Sequence, residues 1–167
     1  MQIIEDGGGG IAPGDAPPWL LMIVDDDPSV HQATRFALGD FSFEGRPLRI
    51  LGAYSAAEAR EAIAGEADTA VVLLDVVMES EYIGLDLVRW IRDELGNDRI
   101  RIVLRTGQPG FAPELQVIRD YDINDYKDKS GMTSANLVTT VYAALRSFRD
   151  IVRLERQSDS LRDALDT

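Results

Sequence analysis

Residues 20–27 read LLMIVDDD, and this stretch decides the fold because a short, fully apolar run stops abruptly at three carboxylates. Later segments meet polar side chains in the same way: residues 71–74 (VVLL) stop at Asp75, residues 102–105 (IVLR) stop at Thr106, and residues 123–126 (INDY) lead to Lys129. Short apolar runs bounded by turn residues are typical of central strands in a parallel sheet.

Strand and helix patterns alternate along residues 19–150. The predicted strands cover residues 20–24, 48–53, 69–74, 100–105 and 123–126. The predicted helices cover residues 29–38, 85–95 and 113–121. A further helix begins after Ser55, which forms a capping box with Glu58, and a last helix begins near Thr133. Five β–α units predict an α/β fold with a doubly wound, five-stranded parallel sheet in the order 2-1-3-4-5 and helices on both faces.

Ligands bind at the carboxyl ends of strands in such sheets, at the point where the strand order reverses. Asp25 and Asp26 end the first predicted strand and Asp75 ends the third, so these carboxylates are expected at that point. Carboxylate oxygens suit Mg²⁺. Asp75 can act as a nucleophile, since carboxylates form aspartyl-phosphates. Lys129 and Thr106 would then hold phosphoryl oxygens by charge and by a hydrogen bond.

Bulk composition indicates one globular domain and excludes several classes of site. The chain has 167 residues, 45% of them apolar, and no apolar run nears the roughly 20 residues of a membrane span. Cysteine is absent, which excludes disulfides and thiolate metal sites and is compatible with a reducing cytoplasm, the expected location. The net charge of −12 argues against direct binding to nucleic acid. No membrane association is expected.

The motifs resemble those of the response-regulator receiver domain of two-component signalling, the chemotaxis-regulator fold. Residues 23–28 (IVDDDP) resemble its first-strand motif and residues 73–78 (LLDVVM) its phosphoacceptor motif. Thr106 matches the switch hydroxyl, and residues 125–129 (DYKDK) match the segment with the aromatic switch and the lysine. The resemblance covers about residues 19–150, so residues 1–18, with four glycines in a row, are expected to be a flexible tail.

The resemblance implies a function for each matched residue. Asp75 would accept a phosphoryl group from a sensor histidine kinase or a phosphotransfer protein. Asp26, Asp75 and the backbone carbonyl of Val77 would ligate Mg²⁺, with Asp25 acting through water. Tyr126 would rotate when Thr106 moves. The domain would be regulatory, catalysing only its own phosphorylation and dephosphorylation.

Two longer segments resemble receivers joined to cyclic-di-GMP output domains of the HD-GYP or GGDEF kind. They are residues 105–110 (RTGQPG) and residues 121–127 (YDINDYK). The chain departs from the receiver pattern at Ser130 and Glu79, where the family usually has proline. The acidic residues 79–81 could repel a phosphodonor or slow phosphoryl loss.

The last predicted helix meets no glycine or proline from Thr133 onward, which allows about 30 residues and roughly 45 Å. Its distal apolar positions alternate in spacings of three and four, with one serine among them: Ile151, Leu154, Ser158, Leu161 and Leu165. This seam predicts a parallel homodimer and makes residues 151–167 a helical linker to an output domain beyond Thr167. A frayed tail is the alternative.

An enzyme of another class remains a competing interpretation. Residues 25–29 (DDDPS) also fit the start of haloacid dehalogenase-like phosphatases, with Asp25 as nucleophile and Asp27 as acid or base. That family needs a further acidic pair after the lysine, and residues 131–142 contain none. It also leaves Asp75 without a role. A degenerate receiver that serves only for docking is a third possibility, which the presence of all five site residues opposes.

Several of these residues also have a purely structural interpretation. Asp27 is expected to be a helix cap. His31 is expected at the surface or at a helix start rather than in catalysis. The remaining structural interpretations are a β-former at a turn for Thr106, a surface charge for Lys129 and a half-buried strand aromatic for Tyr126.

Overall fold

The structure, a computed structural model, describes residues 16–78, 83–107, 115–128 and 133–166. The strands are β1 (Trp19–Val24), β2 (Ser42–Phe43), β3 (Arg46–Ala53), β4 (Thr69–Asp75), β5 (Arg101–Thr106) and β6 (Asp125–Asp128). The helices are α1 (Pro28–Ala37), α2 (Ala56–Gly65), α3 (Ile83–Arg89), α4 (Leu115–Asp120) and α5 (Ser134–Leu165). A π-helical turn, Trp90–Glu94, continues α3. Apart from the additional strand β2, strands and helices alternate as the sequence predicts.

The sheet has the order β2-β3-β1-β4-β5-β6. Strands β3, β1, β4, β5 and β6 are parallel to one another, which confirms the predicted order 2-1-3-4-5 for the five-stranded parallel sheet. β1 and β4, the first and third predicted strands, lie side by side at its centre. Their carboxyl ends therefore meet at the point where the strand order reverses.

A short sixth strand, β2, was not predicted, because residues 39–47 read as a polar connection. β2 pairs antiparallel with the start of β3 and lies at the sheet edge. The turn between them places Glu44 at φ 52° and Gly45 at φ 73°. Two-residue hairpin turns of type I′ need positive φ at both central residues, and glutamate is an unusual choice there. Trp19 anchors the strand, since its Nε1 donates to the carbonyl of Phe43 at 2.9 Å.

Several predicted boundaries differ from the structure by one or two residues. β6 begins at Asp125, two residues later than the predicted fifth strand. Asn124 intervenes: its amide donates to the carbonyl of Ile102, and its side-chain oxygen accepts from the amide of Ile102. The helix predicted over residues 85–95 begins at Ile83 and changes to π-helix at Trp90.

Alternate strand residues supply two hydrophobic layers, one on each face of the sheet. One layer joins residues such as Met22 and Leu74 to helices α2 and α3. The other joins residues such as Ile23 and Leu73 to helices α1 and α5. Burial on both faces explains why the central strands are continuously apolar, and it confirms the prediction of helices on both faces.

The helix caps follow the sequence signals. Asp27 caps α1, because its side chain accepts from the amide of Ser29. Ser55 caps α2 through the amide of Glu58. Thr133 caps α5 through the amide of Asn136. Each side chain satisfies an amide that has no partner within the first helical turn.

Helix α5 is 32 residues long, and only its first half belongs to the core. Its buried positions end at Leu145, whereas Leu154 and Leu165 are 66% and 84% exposed. Ion pairs on the protein surface link the distal half to the rest of the chain, including Arg99 to Glu155 at 3.4 Å. Among the residues that the structure describes, no helix is long and apolar enough to cross a membrane.

Candidate functional site

Three carboxylates converge at the carboxyl end of the central strands. Asp25 and Asp75 are buried and Asp26 is exposed. One oxygen from each lies within 4.8 Å of the others. The sequence placed Asp25 and Asp26 after one strand and Asp75 at the end of another, and the pairing of β1 with β4 brings them together.

Backbone contacts hold the two buried carboxylates in place. The amide of Asp25 donates to the carbonyl of Ala53 at 3.1 Å, which continues the strand pairing past β1. The amide of Asp27 donates to Asp25 Oδ1 at 2.9 Å. On the other side, the amide of Val77 donates to Asp75 Oδ1 at 3.1 Å. These hydrogen bonds fix the orientation of the two carboxylate groups.

Glycine at position 84 is required by the chain that follows Asp75. A Cβ on Gly84 would lie 2.5 Å from the backbone oxygen of Asp75 and 2.8 Å from the Cα of Val76. The amide of Gly84 donates to the carbonyl of Val76 at 3.3 Å. The start of α3 therefore packs directly on the backbone that carries Asp75.

His31 was expected at the surface or at a helix start; it lies in the first turn of α1, but it is buried rather than at the surface. Its Nε2 donates to the carbonyl of Asp25 at 2.8 Å. Its ring stacks on Tyr54 with 4.1 Å between centroids, and a Cβ at Gly52 would lie 2.8 Å from its Nδ1. The amphipathic pattern of α1 does not show this, because the space comes from a glycine on a distant strand. His31 thereby fixes the backbone of the first carboxylate.

The structure describes only some of the other predicted site residues. Thr106 is buried at the end of β5. Val77 is half-buried just beyond β4. The backbone of Tyr126 pairs with Leu104 in β6, but its side chain lies outside the described residues. Lys129 also lies outside them, as do Ser130 and residues 79–81.

Arg105 is a site residue that sequence reasoning passed over. It is in register with Asp75 in the neighbouring strand and is only 3% exposed. Burial lowers the pKa of its guanidinium, and the charges of Asp25 and Asp75 act in the opposite direction. A charged residue at the end of an apolar strand was the signal that could have identified Arg105. Because apolar residues precede it, Arg105 was interpreted only as the end of a strand.

The donor set fits a hard divalent cation. Oxygen ligands at one sheet edge, with an exposed carboxylate beside two buried ones, match the preference of Mg²⁺ for carboxylates combined with water. Clustered carboxylates repel one another, so a cation bound between them lowers the free energy of the folded protein.

Known proteins resemble the chain in both sequence and structure, although no family model matches it. The 3'3'-cGAMP-specific phosphodiesterase 2 of Vibrio cholerae serotype O1 is 51% identical over 140 residues, or 84% of this chain. The chain spans 27% of that relative's length. A CheY-like response regulator receiver domain protein from Methanospirillum hungatei JF-1 superposes with a TM-score of 0.64 at 26% identity, covering 78% of this chain and 97% of the other.

The chain has the receiver fold of response regulators. The N-terminal domain of a response regulator/sensory box/GGDEF 3-domain protein from Carboxydothermus hydrogenoformans shares it, with a TM-score of 0.64, 20% identity, and coverage of 80% of this chain and 98% of the other. The likeness to receiver domains supports a regulatory role in response-regulator signalling.

The receiver geometry does not favour the phosphatase alternative. That alternative needs Asp27 as an acid or base, yet Asp27 accepts hydrogen bonds from Ser29 N at 2.9 Å and Ser29 Oγ at 2.7 Å as the cap of α1. It also assigns nothing to Asp75, which lies among the clustered carboxylates. The predicted structural role of Asp27 is confirmed.

Proposed function

We propose that this chain is a phosphorelay receiver in which Asp75 accepts a phosphoryl group in the presence of Mg²⁺. The observation that carries the proposal is the position of Asp75. It ends a central parallel strand, and its carboxylate lies within 4.8 Å of those of Asp25 and Asp26. A nucleophilic carboxylate beside two further carboxylates suits an acceptor that needs a cation to neutralise the incoming phosphoryl charge.

The metal ligands we propose are Asp26, Asp75 and the backbone carbonyl of Val77, with Asp25 contributing through water. Bound there, Mg²⁺ would neutralise charge on the phosphoryl oxygens. Asp26 is exposed and can admit the ion from solvent, whereas Asp25 and Asp75 are held by the backbone contacts described above.

In the transfer step, a carboxylate oxygen of Asp75 attacks phosphorus in line with the leaving group. With phosphohistidine as donor, the new O–P bond forms as the P–N bond breaks, and the imidazole nitrogen keeps the bonding electron pair and takes up a proton. Lys129 and Thr106 each hold a phosphoryl oxygen in this proposal. Positioning and charge neutralisation provide most of the catalysis in such transfers.

The phosphoryl group would then act as a switch. We propose that Thr106 moves toward the phosphoryl oxygen and that Tyr126 rotates into the space it leaves, which changes the surface near α4, β6 and α5. Burial of Thr106 supports this, because a buried hydroxyl cannot move without rearrangement of its neighbours.

The partners we propose are a sensor histidine kinase or phosphotransfer protein as donor and a second copy of the chain joined through distal α5. The helix would continue into an output domain. The Vibrio cholerae relative is a 3'3'-cGAMP-specific phosphodiesterase by its name, and this chain matches 27% of its length. That relationship supports an output domain related to cyclic dinucleotides. We place the protein in the cytoplasm, where kinases and their phosphodonors are found.

Intact-mass spectrometry after treatment with acetyl phosphate and Mg²⁺ tests the proposal. The wild-type chain should gain one phosphoryl group, Asp75→Asn should gain none, and omission of Mg²⁺ should abolish labelling. Asp27→Asn is the matched control, because it alters a carboxylate at the same edge that serves as a helix cap, and it should keep most of the label. Label retained in Asp75→Asn but lost in Asp25→Asn would instead support the phosphatase.

A further inference from the structure

The buried guanidinium of Arg105 lies on the same face of the sheet as the buried carboxylates of Asp25 and Asp75. Two positions before these three residues lie Ile23, Leu73 and Val103, which belong to the core layer beneath α1 and α5. Because side chains in a strand alternate between faces, Asp25, Asp75 and Arg105 also face α1 and α5. Asp25 directly follows β1, whereas Asp75 and Arg105 lie at the carboxyl ends of β4 and β5, and these three strands are adjacent. Asp75 and Arg105 are direct neighbours in register.

A single described side-chain hydrogen bond tethers Arg105 to α1. Its Nη1 donates to Thr34 Oγ1 at 3.1 Å, and that hydroxyl donates to the carbonyl of Val30 at 2.7 Å. Among the residues described, no hydrogen-bond partner is found for its Nε or Nη2, although both atoms are buried. The guanidinium is not deprotonated in proteins, so it remains a buried charge.

A buried charge must be compensated, since transfer from water is costly. For Arg105 the compensation comes from the charges of Asp25 and Asp75, which raise its pKa against the effect of burial. The relation is mutual, because the guanidinium also reduces the repulsion between those two carboxylates. Arg105 and a bound cation would therefore neutralise the same two carboxylates.

We propose that Arg105 is a permanent internal counter-charge of the acidic site: it stabilises the carboxylates when no metal is bound and weakens their affinity for a divalent cation. Arg105 is a positioning residue, because it acts through Asp25 and Asp75. The inference rests on the proposed function in so far as these carboxylates bind Mg²⁺. Its consequence is that this receiver would release its cation more readily than the same carboxylates without an arginine beneath them.

The chain offers a matched control in Arg101. It lies on the same strand and face as Arg105, four residues earlier, and is equally 3% exposed. Its guanidinium is engaged at the opposite end of the sheet by the backbone oxygens of Asp98 and Arg99 and by the carboxylate of Asp122 at 3.2 Å. Four residues of strand separate the two Cα atoms by roughly 13 Å, so loss of the Arg101 charge should leave the site almost unchanged.

Calorimetric titration of the full chain with Mg²⁺ tests the inference. Arg105→Met removes the charge and keeps the length of the side chain, and we expect it to bind Mg²⁺ about tenfold more tightly than wild type, equivalent to about 1.4 kcal/mol. Arg105→Lys retains the charge and should stay within about twofold of wild type, as should Arg101→Met. Arg105→Gln provides a second neutral variant if Arg105→Met does not fold.

A gain in affinity separates this role from a structural one, because lost packing would weaken the site. If the folded neutral variants bind Mg²⁺ with wild-type or lower affinity, the counter-charge inference is wrong while the proposed function stands. If the wild-type chain binds no divalent cation, both the proposed function and the inference fail. If Arg105→Lys tightens binding as much as Arg105→Met, charge is not the cause and the inference is overturned.

Discussion

Buried arginines have different kinds of partner at the two ends of the central sheet. At the amino end, Arg92 donates to three backbone carbonyls, those of Tyr121, Asn97 and Asp122, at 2.8–3.0 Å. At the carboxyl end, Arg105 has one described side-chain hydrogen bond, to Thr34, and lies beside clustered carboxylates. Both arginines are largely buried, so the difference is in their partners. At the amino end, backbone carbonyls supply hydrogen-bond acceptors for the buried guanidinium. At the carboxyl end, the guanidinium lies beside carboxylates, and an added cation or phosphoryl group would change the net charge there.

This contrast predicts that removal of a buried charge will change stability at the amino end and ligand binding at the carboxyl end. Backbone carbonyls are permanent partners, and a cation held by them contributes equally in every functional state. Charges that balance one another through space respond when a ligand enters. Variants at matched positions at the two ends therefore test this difference.

The largest expected effect is on stability, from Arg92→Met at the amino end. The substitution leaves three backbone carbonyls without their donor, and we expect a loss of roughly 3–5 kcal/mol in the free energy of unfolding. Urea denaturation followed by circular dichroism measures it. Arg89→Met, on the same helix, is the control: Arg89 is exposed and its ion pair with Asp86 spans 3.9 Å, so little change is expected. Equal losses in both variants would contradict the account of the amino end.

The next largest loss of stability is expected from Gly84→Ala at the carboxyl end, with Gly65→Ala as its control. Gly84→Ala would place a Cβ 2.5 Å from the backbone oxygen of Asp75, so the backbone must shift. We expect a loss of about 1–3 kcal/mol together with slower phosphorylation by acetyl phosphate. Gly65→Ala meets no atom within 4 Å at the end of α2 and should be neutral or slightly stabilising. Wild-type phosphorylation kinetics in Gly84→Ala would show that this contact does not position Asp75.

The sequence predicted the features that short-range patterns encode. Apolar runs of limited length located the five parallel strands, and the alternation with helices set their order. Cap residues such as Asp27 and Ser55 marked helix starts correctly because capping depends on a few adjacent residues. The meeting of Asp25 and Asp75 followed from that topology without any knowledge of side-chain packing.

The features that the sequence did not predict depend on distant residues. β2 is anchored by Trp19, whose Nε1 donates to the carbonyl of Phe43 from another strand. His31 is buried because Gly52, on another element, leaves room for its ring. The role of Arg105 depends on its register with Asp75 across two strands. In each case the decisive contact joins parts of the chain that no local pattern connects.

A smaller effect is stabilisation by Mg²⁺, which should depend on carboxylates at one end of the sheet alone. At ten times its dissociation constant, Mg²⁺ should stabilise the wild-type chain by about 1.4 kcal/mol and raise its melting temperature. Asp26→Asn should abolish this increment without destabilising the metal-free protein, because Asp26 is exposed and removal of its charge relieves repulsion. Asp122→Asn, at the amino end, should keep it. An increment that survives Asp26→Asn would remove that residue from the proposed site.

The smallest effect on stability should come from the distal half of α5, whose expected role is association. A chain ending at Asp150 loses exposed ion pairs such as Arg99–Glu155, so its unfolding free energy should fall by less than about 1 kcal/mol. Leu154 and Leu161 are each 66% exposed, which favours burial against a second copy. Sedimentation equilibrium should show dimers for the full chain and monomers for the shortened one, with Leu161→Glu giving monomers at full length. Monomers of the full chain at high micromolar concentration, even with beryllofluoride in place of the phosphoryl group, would reduce distal α5 to a solvated helix.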